Sequence, residues 1–164
     1  TNGESCPPNI EGEVTIGGPQ TCIATISPEG DWEDMQDVRI PTGDLATIDE
    51  DGFVTVTGRT KDLIIRGGVN IAPLEIDNVI MGLEKVSEAA AVGIPDKIYG
   101  EEVICYVVPK SGEHLTEPEI LNHCANLLPE FKAPKKAYQL TELPKSDRGK
   151  ILRDELKALW VSLN

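Results

Sequence analysis

The charge distribution divides the 164-residue chain near Gly58. Residues 1–57 contain twelve acidic side chains and a single basic one, Arg39, whereas residues 58–164 contain sixteen acidic and fourteen basic side chains. The hydrophobic pattern changes at the same point, from short alternating runs to longer mixed segments. A chain of this length has room for one ordinary domain, or for a small domain joined to a piece of another. The break in composition favours the second arrangement.

The first part has the pattern of a β-rich segment. Its β-type runs are EVTI, TCIATI, LATI and FVTVTG, and the last follows the acidic turn DEDG. Such runs between clusters of turn residues are typical of strands. The segment is short for a closed barrel, so we expect that partner strands or a covering layer belong to sequence upstream of Thr1.

The second part mixes helices and strands. Apolar residues recur at helical spacing over residues 72–84, 116–128 and 151–160. The apolar stripe of the first segment is Ile76, Val79, Ile80 and Leu83. The stripe of the second is Ile120, Leu121, Cys124, Leu127 and Leu128, and that of the third is Leu152, Leu156, Leu159 and Trp160. Pro73 suits a first helical turn, and Thr116 and Glu119 have capping-box spacing. Apolar runs at 63–66, 86–94, 102–108 and 136–140 predict strands. The pattern predicts an α+β domain of about 100 residues with its own core.

Cysteine and histidine placement argues against a metal site. The four cysteines form no C-x-x-C pair, and His114 and His123 lie at no metal-ligand spacing. Cys105 and Cys124 lie in apolar stretches and are interpreted as core residues rather than nucleophiles. These features predict a reduced, cytoplasmic protein without structural zinc.

Overall charge and hydropathy argue against two further classes. The net charge of −13 disfavours nucleic acid as a partner, because a phosphate backbone is bound through basic surface. No apolar run approaches the ~18 residues of a membrane span, and no basic-then-apolar leader occurs. We therefore expect no membrane span and no nucleic-acid partner.

The segment LPKSDRGKILR, residues 143–153, places Lys150 directly after Gly149. A phosphate-binding P-loop needs glycine five positions before this Gly-Lys pair and Ser or Thr after it, but Pro144 and Ile151 occupy those positions. The segment is therefore not a P-loop. Residues 129–153 contain seven basic and three acidic side chains, so Lys150 is either a solvated charge in an exposed turn or a group that faces an anion.

Three motifs occur in order: PTGDLATIDEDGF (residues 41–53), TGRTKDLIIRGGVNIAPLEID (57–77) and LPKSDRGKILR. Together with AAAVGIPD and GEEVICYVV, their order and spacing resemble the C-terminal end of the adenylate-forming (AMP-binding) superfamily. The resemblance extends from Glu13 to Leu159. It implies a two-step reaction in which a carboxylic acid and MgATP give an acyl-adenylate and pyrophosphate, and a thiol then displaces AMP to give a thioester.

The resemblance also implies roles for particular residues. Lys150 corresponds to the catalytic lysine that opposes negative charge between the carboxylate and the α-phosphate. Asp44 corresponds to the aspartate that accepts hydrogen bonds from the ribose hydroxyls of ATP or AMP, and Arg59 to the arginine that supports this region. Gly67 and Gly68 correspond to the loop beside the thiol arm, where a plain hairpin turn is the alternative.

Lys61 matches the hinge about which the C-terminal domain of the family swings. Residues 1–60 then represent the end of the large N-terminal domain, and residues 61–164 the small mobile domain, with a short sheet flanked by helices. The family's phosphate loop, Mg²⁺ ligand and acyl pocket are expected upstream, so no metal ligand is assigned here. Lys132, Lys135 and Lys136 either meet the phosphates of coenzyme A or form an ordinary solvated surface.

The sequence favours an acid:CoA ligase, because IRGGVNIAPLEID and the lysine hinge are more similar to acyl-CoA synthetases than to peptide synthetase adenylation domains. A carboxylic acid, ATP and coenzyme A are the expected partners, together with an upstream N-terminal domain; fatty acid metabolism is one expected setting. Two alternatives remain open at this point. One is adenylation for transfer to a carrier protein, and the other is a noncatalytic module or an isolated fragment that binds no substrate.

Overall fold

The computed structural model describes residues 4–163, which form two compact units that divide between Thr60 and Lys61. Thr1 and Asn164, the outer limits of the two predicted parts, lie outside the described residues. No helix among residues 4–163 has the length and apolar character needed to cross a membrane. The first unit is strand-rich and the second contains both helices and strands.

Within residues 4–60, the first unit contains five strands: β1 (Gly12–Ile16), β2 (Ala24–Ile26), β3 (Trp32–Asp34), β4 (Ile40–Ile48) and β5 (Val54–Arg59). β1, β4 and β5 form an antiparallel sheet with β4 in the centre, and β2 pairs with β3 in a separate hairpin. The sequence did not predict β3, because its exposed residues WED lack the apolar alternation of a half-buried strand.

The second unit is an α+β domain, as predicted. It contains β6 (Ile64–Arg66), β7 (Val69–Ile71), α1 (Pro73–Met81), β8 (Val86–Asp96), β9 (Gly100–Pro109), α2 (Glu117–Leu127), β10 (Lys136–Gln139) and α3 (Arg153–Leu163). β9 is the central strand, with β8 antiparallel to it along its whole length and β10 parallel to it on the other side. β6 joins the start of β9 and carries β7 as a hairpin partner.

The long β8–β9 hairpin is buried on both faces, which explains why its two strands are almost continuously apolar. One face packs with α1 and α2, and its buried residues include Ala89, Ala91, Val103, Cys105 and Val107. The other face packs with α3 and with the segment before it, and its buried residues include Ala90, Val92, Ile104, Tyr106, Leu143 and Leu156. Alternate residues of each strand therefore contribute to two separate clusters.

Two details of the helix predictions were wrong. Leu127 was placed on the buried stripe of α2, but it is 61% exposed, because the helix ends there and the extended Leu128 turns inward instead. The third helix was expected to begin at Ile151, whereas α3 begins at Arg153. Ile151 forms an antiparallel bridge with Lys145 and closes a tight turn before the helix.

The capping box of α2 is formed as predicted. The Thr116 hydroxyl accepts a hydrogen bond from the Glu119 N–H at 3.4 Å, and the Glu119 carboxylate accepts from the Thr116 N–H at 2.8 Å. Hydrogen bonds from the Thr116 hydroxyl and N–H, with a further one from Lys85, lower the pKa of Glu119. The box therefore stabilises the start of α2 while Glu119 is ionised.

We expect Thr116→Ala to reduce the free energy of unfolding by about 1 kcal/mol, because it leaves an N-terminal N–H without its partner. A carboxylate with a lowered pKa stabilises the folded state above its unfolded pKa, and this contribution is lost as the pH falls through the folded pKa. The difference in the free energy of unfolding between the variant and the wild type should therefore become smaller as the pH falls. Urea unfolding at several pH values measures it, with Thr141→Ala at an exposed loop threonine as control; equal losses in the two variants would contradict the prediction.

Candidate functional site

Lys150 lies in a tight turn between Pro144 and Leu152. The Ser146 N–H donates to the Lys150 carbonyl at 2.9 Å, and the Lys150 N–H donates to the Ser146 hydroxyl at 3.2 Å. Gly149 donates to the Ser146 carbonyl and has a φ of 75°, a conformation that favours glycine. The backbone of Lys150 is thus held on both sides by one residue, Ser146.

The side chain of Lys150 extends from this turn into solvent. Lys150 is exposed, and no hydrogen bond or ion pair of its ammonium is found within residues 4–163. The neighbouring Lys145, in contrast, pairs with Glu88 of β8 at 2.6 Å. A fixed backbone combined with an unpaired ammonium suits a charge that meets a ligand.

Below the turn, Arg153 joins three elements. Its Nη1 donates to the Ala91 carbonyl at 2.7 Å, and its Nη2 contacts Asp77 Oδ2 at 2.5 Å. Asp77 Oδ1 in turn accepts from the Ala91 N–H at 2.6 Å. Burial raises the pKa of the Asp77 carboxyl, and the Arg153 guanidinium opposes that shift. α1, β8 and α3 are therefore linked through one largely buried ion pair.

Gly67 and Gly68 form the turn of the β6–β7 hairpin, with φ values of 58° and 82°. Positive φ at both central positions is the geometry of a type I′ hairpin turn, which glycine adopts without strain. A Cβ at Gly68 would meet nothing within 4 Å, so its surroundings are open. The structure thus shows the hairpin turn, and the role of this turn beside a thiol arm stays a prediction.

A rigid group of side chains supports this hairpin. Arg66 donates to both oxygens of Glu102, at 2.7 and 3.0 Å, and its guanidinium lies 4.1 Å from the centroid of the Tyr99 ring. The Gly67 N–H donates to the Tyr99 carbonyl at 2.8 Å. Burial acts to raise the pKa of Glu102, but hydrogen bonds from Arg66 and from the Val103 N–H lower it overall. The exposed turn is therefore held in place by these hydrogen bonds and by the contact between Arg66 and the Tyr99 ring.

Asp44 and Arg59 are brought together in the first unit. They are register partners on β4 and β5, and Arg59 Nε lies 2.6 Å from Asp44 Oδ1. The Thr42 hydroxyl accepts from the Asp44 N–H, and Gly43 has a φ of 75°. Because a carboxylate has two acceptor oxygens, the contact with Arg59 at Oδ1 leaves Oδ2 with capacity for a further donor. The Asp44 side chain is 33% exposed and is accessible to a ligand.

Lys61 is exposed and lies in a single 3₁₀ turn, Thr60–Asp62, at the division between the units. Thr60 is tied to the first unit, since its hydroxyl donates to the Gly43 carbonyl at 3.1 Å. Ile64 has no exposed surface and lies in the core of the second unit. Only three residues connect these two anchored positions, and the role of Lys61 as a hinge stays a prediction.

Lys132 is not an ordinary solvated lysine. Its ammonium contacts both oxygens of Glu75, at 2.8 and 2.6 Å, so α1 already neutralises its charge. Lys135 and Lys136 are exposed. A role of any of these three lysines toward the phosphates of coenzyme A stays a prediction.

The buried thiols behave as core groups. Cys105 and Cys124 are fully buried, and burial raises the pKa of both thiols, that of Cys124 to about 11. A thiol that stays protonated is a poor nucleophile. Within the described part of the chain, no group of three or more His, Cys, Asp or Glu side chains is placed to hold a metal ion.

Sequence reasoning missed Asp77 and Ser146, which fix the surroundings of Lys150. Asp77 lies between Ile76 and Ile80 on the apolar stripe of α1, and a buried acid on such a stripe requires a partner. That signal was available, although the identity of the partner was not. Ser146 lies inside the quoted motif, and the hydrogen bonds between its ends become visible only once the turn is closed.

Comparison with known proteins identifies related sequences and structures. The family profile of the AMP-binding enzyme C-terminal domain matches residues 75–150. An oxalate–CoA ligase of Arabidopsis thaliana is 40% identical over 92% of this chain and 30% of its own length. A 2-succinylbenzoate–CoA ligase of Bacillus cereus is 42% identical over 96% of this chain and 33% of its own length.

Solved structures give the same relationship. ATP-bound MatB from Rhodopseudomonas palustris is 30% identical with a TM-score of 0.83, over 97% of this chain and 32% of that chain. The o-succinylbenzoate CoA synthetase of Bacillus subtilis in complex with its acyl-adenylate is 32% identical with a TM-score of 0.83, over 96% and 32% of the two chains. The present chain spans about a third of the length of the curated relatives it matches. Residues 75–150 therefore match the AMP-binding enzyme C-terminal domain, and nearly the whole chain is similar to about a third of these CoA ligases.

Proposed function

We propose that this chain is the C-terminal part of an acid:CoA ligase. In the first step, a carboxylate oxygen attacks the α-phosphorus of ATP and pyrophosphate leaves. In the second step, the thiol of coenzyme A attacks the acyl carbon, AMP leaves, and the thiol proton is released. The observation that carries the proposal is the match of residues 75–150 to the AMP-binding enzyme C-terminal domain, since this segment includes the Lys150 turn. CoA ligases at 40–42% identity support it.

Lys150 is proposed to act in the first step. Negative charge accumulates between the carboxylate and the α-phosphate, and an ammonium that reaches both oxygens lowers the energy of this arrangement. The turn supports this role, because the Lys150 backbone is fixed by Ser146 while the side chain is exposed. A backbone fixed before the reaction begins reduces the reorganisation needed to bring the ammonium to the reacting oxygens.

Asp44 and Arg59 are proposed to bind the nucleotide. The two ribose hydroxyls are donors that a carboxylate can accept, and Asp44 Oδ2 is available for them beside the contact with Arg59. In the second unit, the Gly67–Gly68 turn is proposed to lie beside the pantetheine arm of coenzyme A, with Lys135 and Lys136 near its phosphates. The open space at Gly68 supports close approach of a ligand.

The test is a substrate panel with the full-length protein. Oxalate, succinylbenzoate and long-chain fatty acids should be included, because related ligases are named for these acids. We expect acid-dependent release of pyrophosphate and AMP, and an acyl-CoA product identified by mass spectrometry. The 164-residue chain alone should stay at background, since it covers about a third of such enzymes.

Two results would contradict the proposal. One is acid-independent release of ADP and phosphate, and the other is acid-dependent pyrophosphate release by the 164-residue chain alone. Adenylate formation without turnover of coenzyme A, but with transfer to a carrier protein, would replace the proposal by the carrier-loading alternative. The matched control for each acid is the analogue in which every carboxylate is reduced to a primary alcohol, so that no carboxylate remains to be activated.

A further inference from the structure

The ion pair between Asp77 and Arg153 lies where the Lys150 turn ends and α3 begins. Arg153 is the first residue of α3 and follows Lys150 by three positions. A chain of three residues spans at most about 11 Å, so the position of Arg153 confines the position of Lys150. The intervening residues are also fixed, since Leu152 donates to the Pro144 carbonyl and Ile151 bridges to Lys145.

The contacts of Arg153 determine where the end of this turn lies in the domain. The guanidinium bonds to the Ala91 carbonyl and to Asp77, and Asp77 bonds to the Ala91 N–H. Both backbone groups of one β8 residue are thus engaged by side chains from α1 and α3. Side-chain exposure is 15% for Arg153 and 8% for Asp77, so water competes weakly for these bonds.

The other attachment of the turn is less restrictive. Lys145 pairs with Glu88, but the side-chain exposures are 38% and 31%. An ion pair this open to solvent contributes little to fixing a position. Leu143 is buried on the entering side of the turn. Arg153 is therefore the polar anchor on the side where the chain leaves Lys150.

We propose that Arg153 is a positioning residue for acyl-adenylate formation, and that it acts through Lys150 by fixing the turn to Asp77 and Ala91. The proposal rests on the proposed function, in which Lys150 acts in the first step. Arginine suits this task because its planar fork reaches two acceptors at once. A lysine presents a single ammonium and cannot reproduce the same pair of contacts.

The first test is Arg153→Lys in the full-length ligase. We expect kcat for adenylate formation to fall on the order of 10- to 100-fold, because a displacement of about 1 Å can cost 10²-fold. The KM values for ATP and acid should stay within about twofold, since neither is proposed to touch Arg153. Thioester formation from supplied acyl-adenylate should also stay within about twofold. Lys157→Met, which removes another cation from α3, is the matched control and should leave both steps unchanged.

A double-mutant cycle with Lys150→Ala separates positioning from general structural damage. If Arg153 acts through Lys150, Arg153→Lys should cause less than about a twofold further loss once Lys150 is absent. Multiplicative losses would overturn the role of Arg153 while leaving the proposed function intact. An unimpaired adenylation step in Lys150→Ala would instead refute the proposed role of Lys150.

Hydrogen exchange provides a readout that does not depend on activity. In Arg153→Lys, the Gly149 and Leu152 amides should exchange at least about tenfold faster, while amides in the β8–β9 hairpin keep their protection. If this variant does not fold, Asp77→Asn provides the same test, because an amide oxygen can still accept a hydrogen bond without the charge. Uniform exchange increases, or equal losses in both half-reactions, would show a purely structural role and overturn the proposal.

Discussion

Lys150→Ala in the full-length ligase should slow acyl-adenylate formation by on the order of 10² to 10³, the typical loss for one preorganised charge stabiliser. The loss should appear in kcat more than in KM, because the ammonium is proposed to act where charge accumulates. Thioester formation from supplied acyl-adenylate should change little, because Lys150 is proposed to act only in the first step. Rapid-quench measurement of each half-reaction checks both statements.

Two further variants sharpen this test. Lys150→Arg keeps the charge, but its wider planar head does not replace a compact ammonium between two oxygens, so we expect only partial recovery. Arg148→Ala removes a neighbouring exposed cation from the same turn and should leave both steps within about twofold. Near-normal adenylation in Lys150→Ala would refute the proposed role of Lys150, and an equal loss in Arg148→Ala would mean that the turn supplies only general positive charge.

The helices and the central hairpin of the second unit could be predicted because their signals are local. α1 and α2 combine helical spacing with start signals at Pro73 and Thr116, and the structure has both features. The β8–β9 runs are apolar on both faces, as expected for strands covered on both sides. Local pattern thus sufficed where propensity and burial agree.

The errors lie at the edges of elements, where tertiary contacts decide. Ile151 has the apolar character of a helix residue, but its pairing with Lys145 delays the start of α3 to Arg153. β3 and β7 each contain three residues and depend on a hairpin partner for their hydrogen bonds. The equally short β2 and β6 lie in apolar runs and could be predicted, whereas β3 and β7 have no continuous apolar run from which a strand is recognised.

In the candidate site, too, local features could be predicted from sequence and contacts between distant residues could not. Lys150, Gly67 and Gly68 could be proposed from motifs, because each motif is a continuous segment. The bond between Arg153 and Asp77 joins residues separated by 76 positions, and the bond between Arg59 and Asp44 joins residues separated by 15. Such pairings follow from the register of strands and the packing of helices, which a single sequence does not specify. The contacts that position the site residues were therefore less predictable from sequence than the reactive groups themselves.

Lys61→Pro in the full-length ligase should impair thioester formation and spare adenylate formation, which is the reverse of the effect expected for Lys150→Ala. Proline fixes φ near −65°, which suits the 3₁₀ turn in which Lys61 lies but prevents a large rotation about that bond. If Lys61 is the pivot, a fixed φ at this residue hinders the swing that is expected between the two half-reactions. We expect adenylate formation to stay within a few-fold of the wild type, because it precedes that swing.

The thioester step should fall by on the order of 10- to 100-fold, because a disfavoured backbone conformation costs about 1–3 kcal/mol and each 1.36 kcal/mol is a tenfold change in rate. Lys61→Ala is the matched control, since it removes the same charge but leaves φ free, and both steps should remain near normal. The segment favours a single pivot, because Thr60 is tied to Gly43 and Ile64 is buried in the second unit. Equal losses in both half-reactions of Lys61→Pro, or a selective loss in Lys61→Ala, would place the pivot elsewhere or assign the effect to charge.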